Sequence, residues 1–318
     1  MNLITVLGSV PVEHVRLADG HAHVWIMPPE GIASESRLEL NDEAAIRAEL
    51  GDFHAVGGTT LVDCQPGGCG RDANRLRRLA VATGLHITAT TGFHQQKYYP
   101  AESWLWRAGA EAAAAYFIEE LTVDMRETGG TVRATSLKVG YEGVIEGQAR
   151  TLMEAAALAA RQTGAAILFH TEQGRNIEAL VPFFADRGVM PDRLYMCHVD
   201  KRPDVGLHRE LAQAGVLLGY DTFARPRYDP DRGAWHLIRT LVADGLDTAI
   251  AIGLDLAMSS AWRRYGGQPG LLFLTEQVIP RLHQEGMNAT TVRRLTAQNV
   301  AQRLVRQSAQ NEEIENPQ

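Results

Sequence analysis

Gly57-Gly58-Thr59-Thr60-Leu61-Val62-Asp63, followed by the segment from Arg71 to Thr83 and then Gly84, decides the architecture. A β-branched, apolar run after a glycine pair reads as a strand. The segment behind it carries Leu76, Leu79, Ala80 and Ala82 at helical spacing and meets a glycine stop. This strand–helix unit recurs. Strand-like runs follow at His86–Thr91, Arg133–Lys138, Ala165–His170, Arg193–His198, Val216–Asp221 and Thr248–Asp255, and one more lies just before His21. Between them run amphipathic segments at Ala149–Gln162, Ile177–Ala185, Val205–Ala214 and Ala234–Ala243. Eight strands alternating with helices predict an α/β chain folded as a single (β/α)8 TIM barrel, because the alternation implies a parallel sheet. The rival, a doubly wound open sheet, would place G-x-G-x-x-G after an early strand. The nearest stretch, Gly67-Gly68-Cys69-Gly70, lacks that spacing.

The whole chain has 318 residues, 45% of them hydrophobic, which suits one large domain, taken as residues 1–306. Residues 307–318 are polar, with Glu312, Glu313 and Glu315, and are expected to be a disordered tail. A net charge of -7 leaves no basic footprint for nucleic acid and no polybasic membrane patch. No apolar run is long enough to span a membrane, and the first residues do not read as a secretory signal. Cys64, Cys69 and Cys197 are odd in number and lack C-x-x-C spacing, so a reduced, cytoplasmic protein is expected. A homodimer is the expectation from the frequency of two-fold oligomers.

Function is read from the carboxyl ends of the strands, where a barrel of this type builds its active site. His21 and His23 sit two apart in Asp19-Gly20-His21-Ala22-His23, so an extended backbone aims both imidazoles at one spot. Alone, the pair reads equally as two polar groups near a turn. Four further ends change the balance: Leu137-Lys138, Phe169-His170, Cys197-His198 and Leu254-Asp255. His54, His208, His236 and His283 fall in helical segments and read as surface or capping residues. A buried lysine beside cations makes no electrostatic sense as an ammonium, whereas a carbamate on its amine would be an anionic ligand. Three loops are rich in candidate contacts: Phe93–Ala108 with Tyr98, Tyr99, Trp104 and Trp106; Thr222–Gly233 with Arg225, Arg227 and Tyr228; and Leu256–Gly270 with Trp262, Arg263, Arg264 and Tyr265. The first reads either as a lid or pocket wall or as plain loop packing.

The set His-x-His, Lys, His, His and Asp on strands one, four, five, six and eight resembles the amidohydrolase superfamily, and more narrowly its phosphotriesterase-related, lactonase-like branch. Gly57–Asp63, Gly70-Arg71-Asp72, Thr91-Gly92-Phe93-His94, Cys197-His198-Val199-Asp200 and Gly219-Tyr220-Asp221 carry the likeness from about Thr5 to Leu304. The resemblance implies two divalent metal ions, most often Zn2+ and sometimes Mn2+ or Co2+. His21, His23 and Asp255 would hold one, His170 and His198 the other, and N6-carboxylated Lys138 would bridge them. It implies hydrolysis of a small-molecule substrate by a metal-bridging hydroxide, with Asp255 as proton shuttle. Asp200 and Glu172 are candidates to orient the ligands.

A subset of that branch opens sugar lactones, some phosphorylated, and carries Arg and Tyr three and six positions after the last Asp. This chain has Met258 and Ala261 there, and Arg227 where the subset has Lys. The expected reaction is therefore the opening of a small polar lactone of sugar type, with Arg227, Tyr98, Lys97 and Tyr228 contacting its polar end. Ester or organophosphate hydrolysis is the alternative, and a catalytically dead barrel acting as a binding protein stands outside enzymes.

Overall fold

The structure, a computed structural model, describes residues 1–307. The polar tail expected from residue 307 lies outside the described residues from 308 onward. Gln307 itself donates its backbone N–H to the Gly164 carbonyl (3.2 Å).

Eight parallel barrel strands, numbered here β1 to β8, occur among the described residues. They are Ala18–Ala22, Thr60–Asp63, His86–Thr88 continued as Thr90–Phe93, Ser136–Tyr141, Ile167–Thr171, Leu194–Cys197, Leu217–Tyr220 and Ile250–Ile252. β1, β2 and the first piece of β3 pair in sequence order, and the second piece of β3 continues through β4 to β8. The seam between β8 and β1 is held by Asp255 N–H to the His21 carbonyl (2.8 Å) and Leu254 N–H to Asp19 Oδ1 (2.9 Å). The chain is thus the expected (β/α)8 barrel.

The helices follow from local chemistry. Asp42, Asp72 and Asp204 cap α1 (Glu43–Ala55), α2 (Ala73–Thr83) and α6 (Val205–Gln213) by accepting backbone N–H groups of the first turn. Gly84 and Gly164 end α2 and α4 (Gly147–Thr163) in the left-handed conformation. An antiparallel N-terminal hairpin, Asn2–Thr5 with Gly8–Pro11, had no counterpart in the strand–helix pattern. Its Leu3 packs with Val300, Ala301 and Leu304 of the last helix among the strands' inward residues.

Strand alternation divides the core in two. Leu61, Ile167, Phe169, Met196, Leu218 and Ile250 face the helices, whereas Val62, Leu168, Tyr195, Cys197, Leu217 and Ala251 form a separate interior cluster. Following that inward parity toward the mouth leads from Ser136 to Lys138, from Leu168 to His170 and from Gly219 to Asp221, while on β1 a register irregularity between Asp19 and Ala22 spans the inward His21. Two positions refine the sequence reading. Lys138 lies within β4, not at its end, and is fully buried. Gly92 makes room for it, since its φ is +98° and a Cβ there would overlap the Lys138 backbone. His208 is also buried rather than on the surface. Its Nδ1 meets the Tyr220 hydroxyl at 2.8 Å and its Nε2 the Arg202 carbonyl at 3.0 Å, pinning α6 to β7.

Candidate metal centre

At the carboxyl end of the barrel His21, His23, Lys138, His170, His198 and Asp255 come together. The imidazoles form a row, with ring centroids 5.5 Å apart for His23 and His21, 4.7 Å for His21 and His198, and 4.8 Å for His198 and His170. Asp255 Oδ1 stands 3.5 Å from His23 Nε2 and 3.7 Å from His21 Nε2. Lys138 Nζ is 3.4 Å from His21 Nε2.

Local backbone turns one of these groups inward against strand alternation and is left-handed at a second. Cys197 points into the barrel, so an extended His198 would point away. Its φ of +64° turns the ring back into the mouth. Asp255 likewise has φ +50°. Such left-handed non-glycine residues cost of order 1 kcal/mol and persist where surrounding contacts over-determine them.

The far side of three of these rings is held. His21 Nδ1 donates to Asp221 Oδ2 (2.8 Å), His198 Nδ1 to Asp221 Oδ1 (2.7 Å), and His23 Nδ1 to Gln65 Oε1 (3.0 Å). The Gln65 amide is oriented by its own donation to the Cys69 carbonyl (2.5 Å). Because carboxylate and amide oxygens only accept, the proton of each ring sits on Nδ1 and Nε2 presents a lone pair. Two such lone pairs and the Asp255 carboxylate therefore face one another within 4.8 Å, an arrangement that a cation relieves. On this donor chemistry the residues fit a divalent metal. Burial, followed by the neighbouring Lys138 charge, lowers the His21 pKa to about 4, and burial holds His198 well below the usual range, so both rings are neutral at pH 7, the form a metal ligand requires. Burial opposes the Asp255 charge, but His198, the Arg225 guanidinium and His21 outweigh it and keep the carboxylate ionised.

The carboxylate that orients two of the ligands is Asp221, which sequence reasoning noted only as part of a family pattern. Asp200, a candidate for that task, acts one step back: its Oδ2 accepts from the backbone N–H groups of Asp221 (3.2 Å) and Thr222 (2.9 Å) and from the Thr222 hydroxyl (2.6 Å). Glu172 meets His170 Nε2 at 3.4 Å. Arg225 was also passed over. Its Nη2 bonds both the Asp255 carboxylate Oδ2 and the Asp255 carbonyl, while Oδ1 is the oxygen near His21 and His23. Its signal was its loop position alone.

Above the floor lies a cavity open to solvent. Ile26, Pro28, Ile32, Leu38 and Ala257 form an apolar wall, and His94, Tyr98 and Ser36 add polar groups. Among the described residues that line it there is no lysine or arginine. Of the four side chains expected to contact substrate, Tyr98 lines the cavity. Lys97 and Arg227 are exposed and, with Tyr228, lie outside that lining; Arg227 stacks on Tyr228 at 4.7 Å. In the aromatic loop Tyr99, Leu105 and Trp106 pack into the core, so most of that segment is loop packing, and His94 and Tyr98 are its contribution to the wall. Arg263 and Arg264 are engaged with Glu276 and Asp52.

A model of the phosphotriesterase family matches residues 1–304. A phospho-furanose lactonase of Mycoplasmopsis synoviae is 30% identical over 308 residues, covering 91% of this chain and 87% of that protein. The human N-acetyltaurine hydrolase is 28% identical over 300 residues, covering 87% and 82%. Among solved structures, a lactonase from Listeria monocytogenes superposes with a TM-score of 0.90 over 97% of this chain and 100% of its own, at 21% identity, a likeness of fold.

Proposed function

Since the chain belongs to the phosphotriesterase family and is a metal-dependent hydrolase, we propose that it opens a small, unphosphorylated lactone of the sugar type. The observation that carries the reading is the set of Nε2 lone pairs on His21 and His23 facing Asp255 beneath a cavity without a cationic wall. Tight binding of a phosphate would call for Arg or Lys donors, and the cavity offers none among the described residues.

The residues that would hold two divalent ions are His21, His23 and Asp255 for one and His170 and His198 for the other, with Lys138, N6-carboxylated, between them. When bound, such ions polarise a carbonyl oxygen and make water nucleophilic at neutral pH. The chain's own groups supply the rest. Asp255 offers carboxylate oxygens beside the reacting centre, so it can take a proton from the attacking water and return it to the leaving alkoxide. Arg225 keeps that carboxylate oriented. Asp221 holds two imidazoles in the ligand tautomer. Tyr98 and the apolar wall receive the lactone ring, while Arg227, Tyr228 and Lys97 would reach a substrate that extends beyond the cavity. For Lys138, burial opposes the ammonium, while the Asp255 and Asp221 carboxylates near it favour the charge. Addition of carbon dioxide needs the neutral amine, so carboxylation is expected to accompany metal loading, and reconstitution of the metal-free protein is expected to require bicarbonate.

The test is a panel of aldonolactones, phosphorylated lactones, aryl esters and N-acetyltaurine, assayed after removal and return of Zn2+, Mn2+ or Co2+. Metal-dependent opening of unphosphorylated lactones is expected to exceed that of the phosphorylated forms. Absence of any metal-dependent ring opening sinks the proposal. The apolar wall favours ester hydrolysis as a second reading, and faster aryl-ester than lactone turnover would establish it.

A further inference from the structure

The histidine row has a fifth member. His94 follows the end of β3, its ring lies 4.8 Å from His170 and edge-on to Tyr98 at 4.7 Å, and it lines the cavity. Its backbone is fixed from three sides. The His94 N–H donates to the Tyr99 hydroxyl at 3.0 Å, and the Gln95 N–H donates to His94 Nδ1 at 2.7 Å. On β4, Gly140 lets this turn approach, because a Cβ there would stand 2.6 Å from the His94 carbonyl carbon.

The hydrogen bond from Gln95 sets the tautomer. A backbone N–H can only donate, so Nδ1 must carry the lone pair and, in the neutral ring, the proton sits on Nε2. This is the reverse of His21, His23 and His198, whose Nδ1 atoms donate and whose Nε2 atoms carry lone pairs. Among the described residues His94 Nε2 has no hydrogen-bond partner. Nε2 is not sealed off within the protein, and the ring lines the cavity. A ring with Nδ1 occupied and Nε2 protonated presents no lone pair to a metal. It presents a positioned donor beside the ligands.

We propose that His94 is a catalytic residue that donates its Nε2–H to the substrate oxygen on which negative charge develops, rather than a metal ligand. This rests on the reading of the site as a metal-dependent hydrolase. A neutral imidazole is a fitting electrophile here: it gives a hydrogen bond without adding a charge to a site built to hold cations. A donor aimed at developing charge acts mainly in the transition state, so its loss lowers kcat more than it raises KM.

The experiment compares His94→Phe, which keeps a ring and loses the donor, with His94→Gln, which keeps an N–H near the Nε2 position. Kinetics on the best lactone are read beside metal content and the 15N spectrum of histidine-labelled, metal-free protein. The wild-type spectrum should show one ring protonated on Nε2 that is missing from both variants. The His94→Phe substitution should lower kcat by about 100-fold, the usual loss for one such donor, with KM within threefold and the wild-type metal content. The His94→Gln substitution should recover most of that loss. An Nδ1-protonated His94, a His94→Phe kcat within threefold of wild type, an equal loss in both variants, or loss of an ion from His94→Phe would each overturn the inference. A wild-type protein that binds no metal would instead defeat the functional reading, and the tautomer measurement would stand independently.

Discussion

The floor of the barrel mouth and its rim are built on different principles. On the floor His21, His23, His198 and Asp255 are buried and held from behind: Asp221 holds His21 and His198, Gln65 holds His23, Asp200 holds Asp221, and Arg225 holds Asp255. On the rim Ile32 and Leu38 are only partly buried, and Lys97 and Arg227 stand in solvent. A site that must present lone pairs to a cation needs geometry held within a fraction of an ångström, and networks of buried hydrogen bonds supply it. A wall that only has to receive a substrate needs shape and apolarity. The chemistry is therefore a property of the floor, and substrate choice a property of the rim.

Substitutions can test that division, from the largest expected effect to the smallest. On the proposed mechanism Asp255→Asn removes both a ligand charge and the proton acceptor, so it should lower kcat/KM by about 10⁴-fold, measured alongside metal content. Beneath the floor, burial lowers the His208 pKa to about 4. The unfolded chain then protonates first, at about 6.5, so this ring makes stability fall as pH drops from about 6.5 to about 4, by about 3 kcal/mol, with no further loss below. Denaturant unfolding at pH 7 and pH 4 should show that loss in the wild type and a correspondingly smaller one in His208→Gln. An equal loss in both would mean that His208 does not support the floor in this way. Asp221→Asn leaves only one acceptor oxygen for two imidazoles and should cost about 10–100-fold in metal affinity, read by titration of the metal-free protein. On the rim, Leu38→Ala should change kcat/KM by about fivefold to tenfold and alter the ranking of lactones, while metal affinity stays unchanged. Arg227→Ala and Lys97→Ala should stay within about threefold for any ring that fits inside the cavity. A larger effect from these two than from Leu38 would erase the distinction between floor and rim.

Much of this was legible from residue order because it depends on period and chemistry. Strand–helix alternation carries the barrel, and a two-residue repeat carries Ser136 to Lys138 and Leu168 to His170 along the inward face. The hairpin at Asn2–Pro11 was not legible, since four-residue strands leave too short a pattern. The wall made by Ile26, Pro28, Ile32 and Leu38 was also hidden, because no periodicity marks which loop residues fold over a cavity. His208 was misjudged for a related reason: a polar residue on a helix reads as exposed until the Tyr220 hydroxyl and Arg202 carbonyl that satisfy it are seen.

By itself the sequence determined the class of fold, the ligand-type residues and the hydrolytic chemistry they resemble, because side-chain identity and local spacing are written along the chain. Only the tertiary structure decided which nitrogen each imidazole offers, that His198 turns inward through a left-handed backbone, that Asp221 and Arg225 hold the ligands, and that His94 faces the cavity as a donor. The physical reason is that a tautomer or an orientation is set by the partner across space. Those partners, such as Asp221 for His21 and Arg225 for Asp255, stand many residues away in sequence or, like Gln95 beside His94, act only through the turn that the fold imposes.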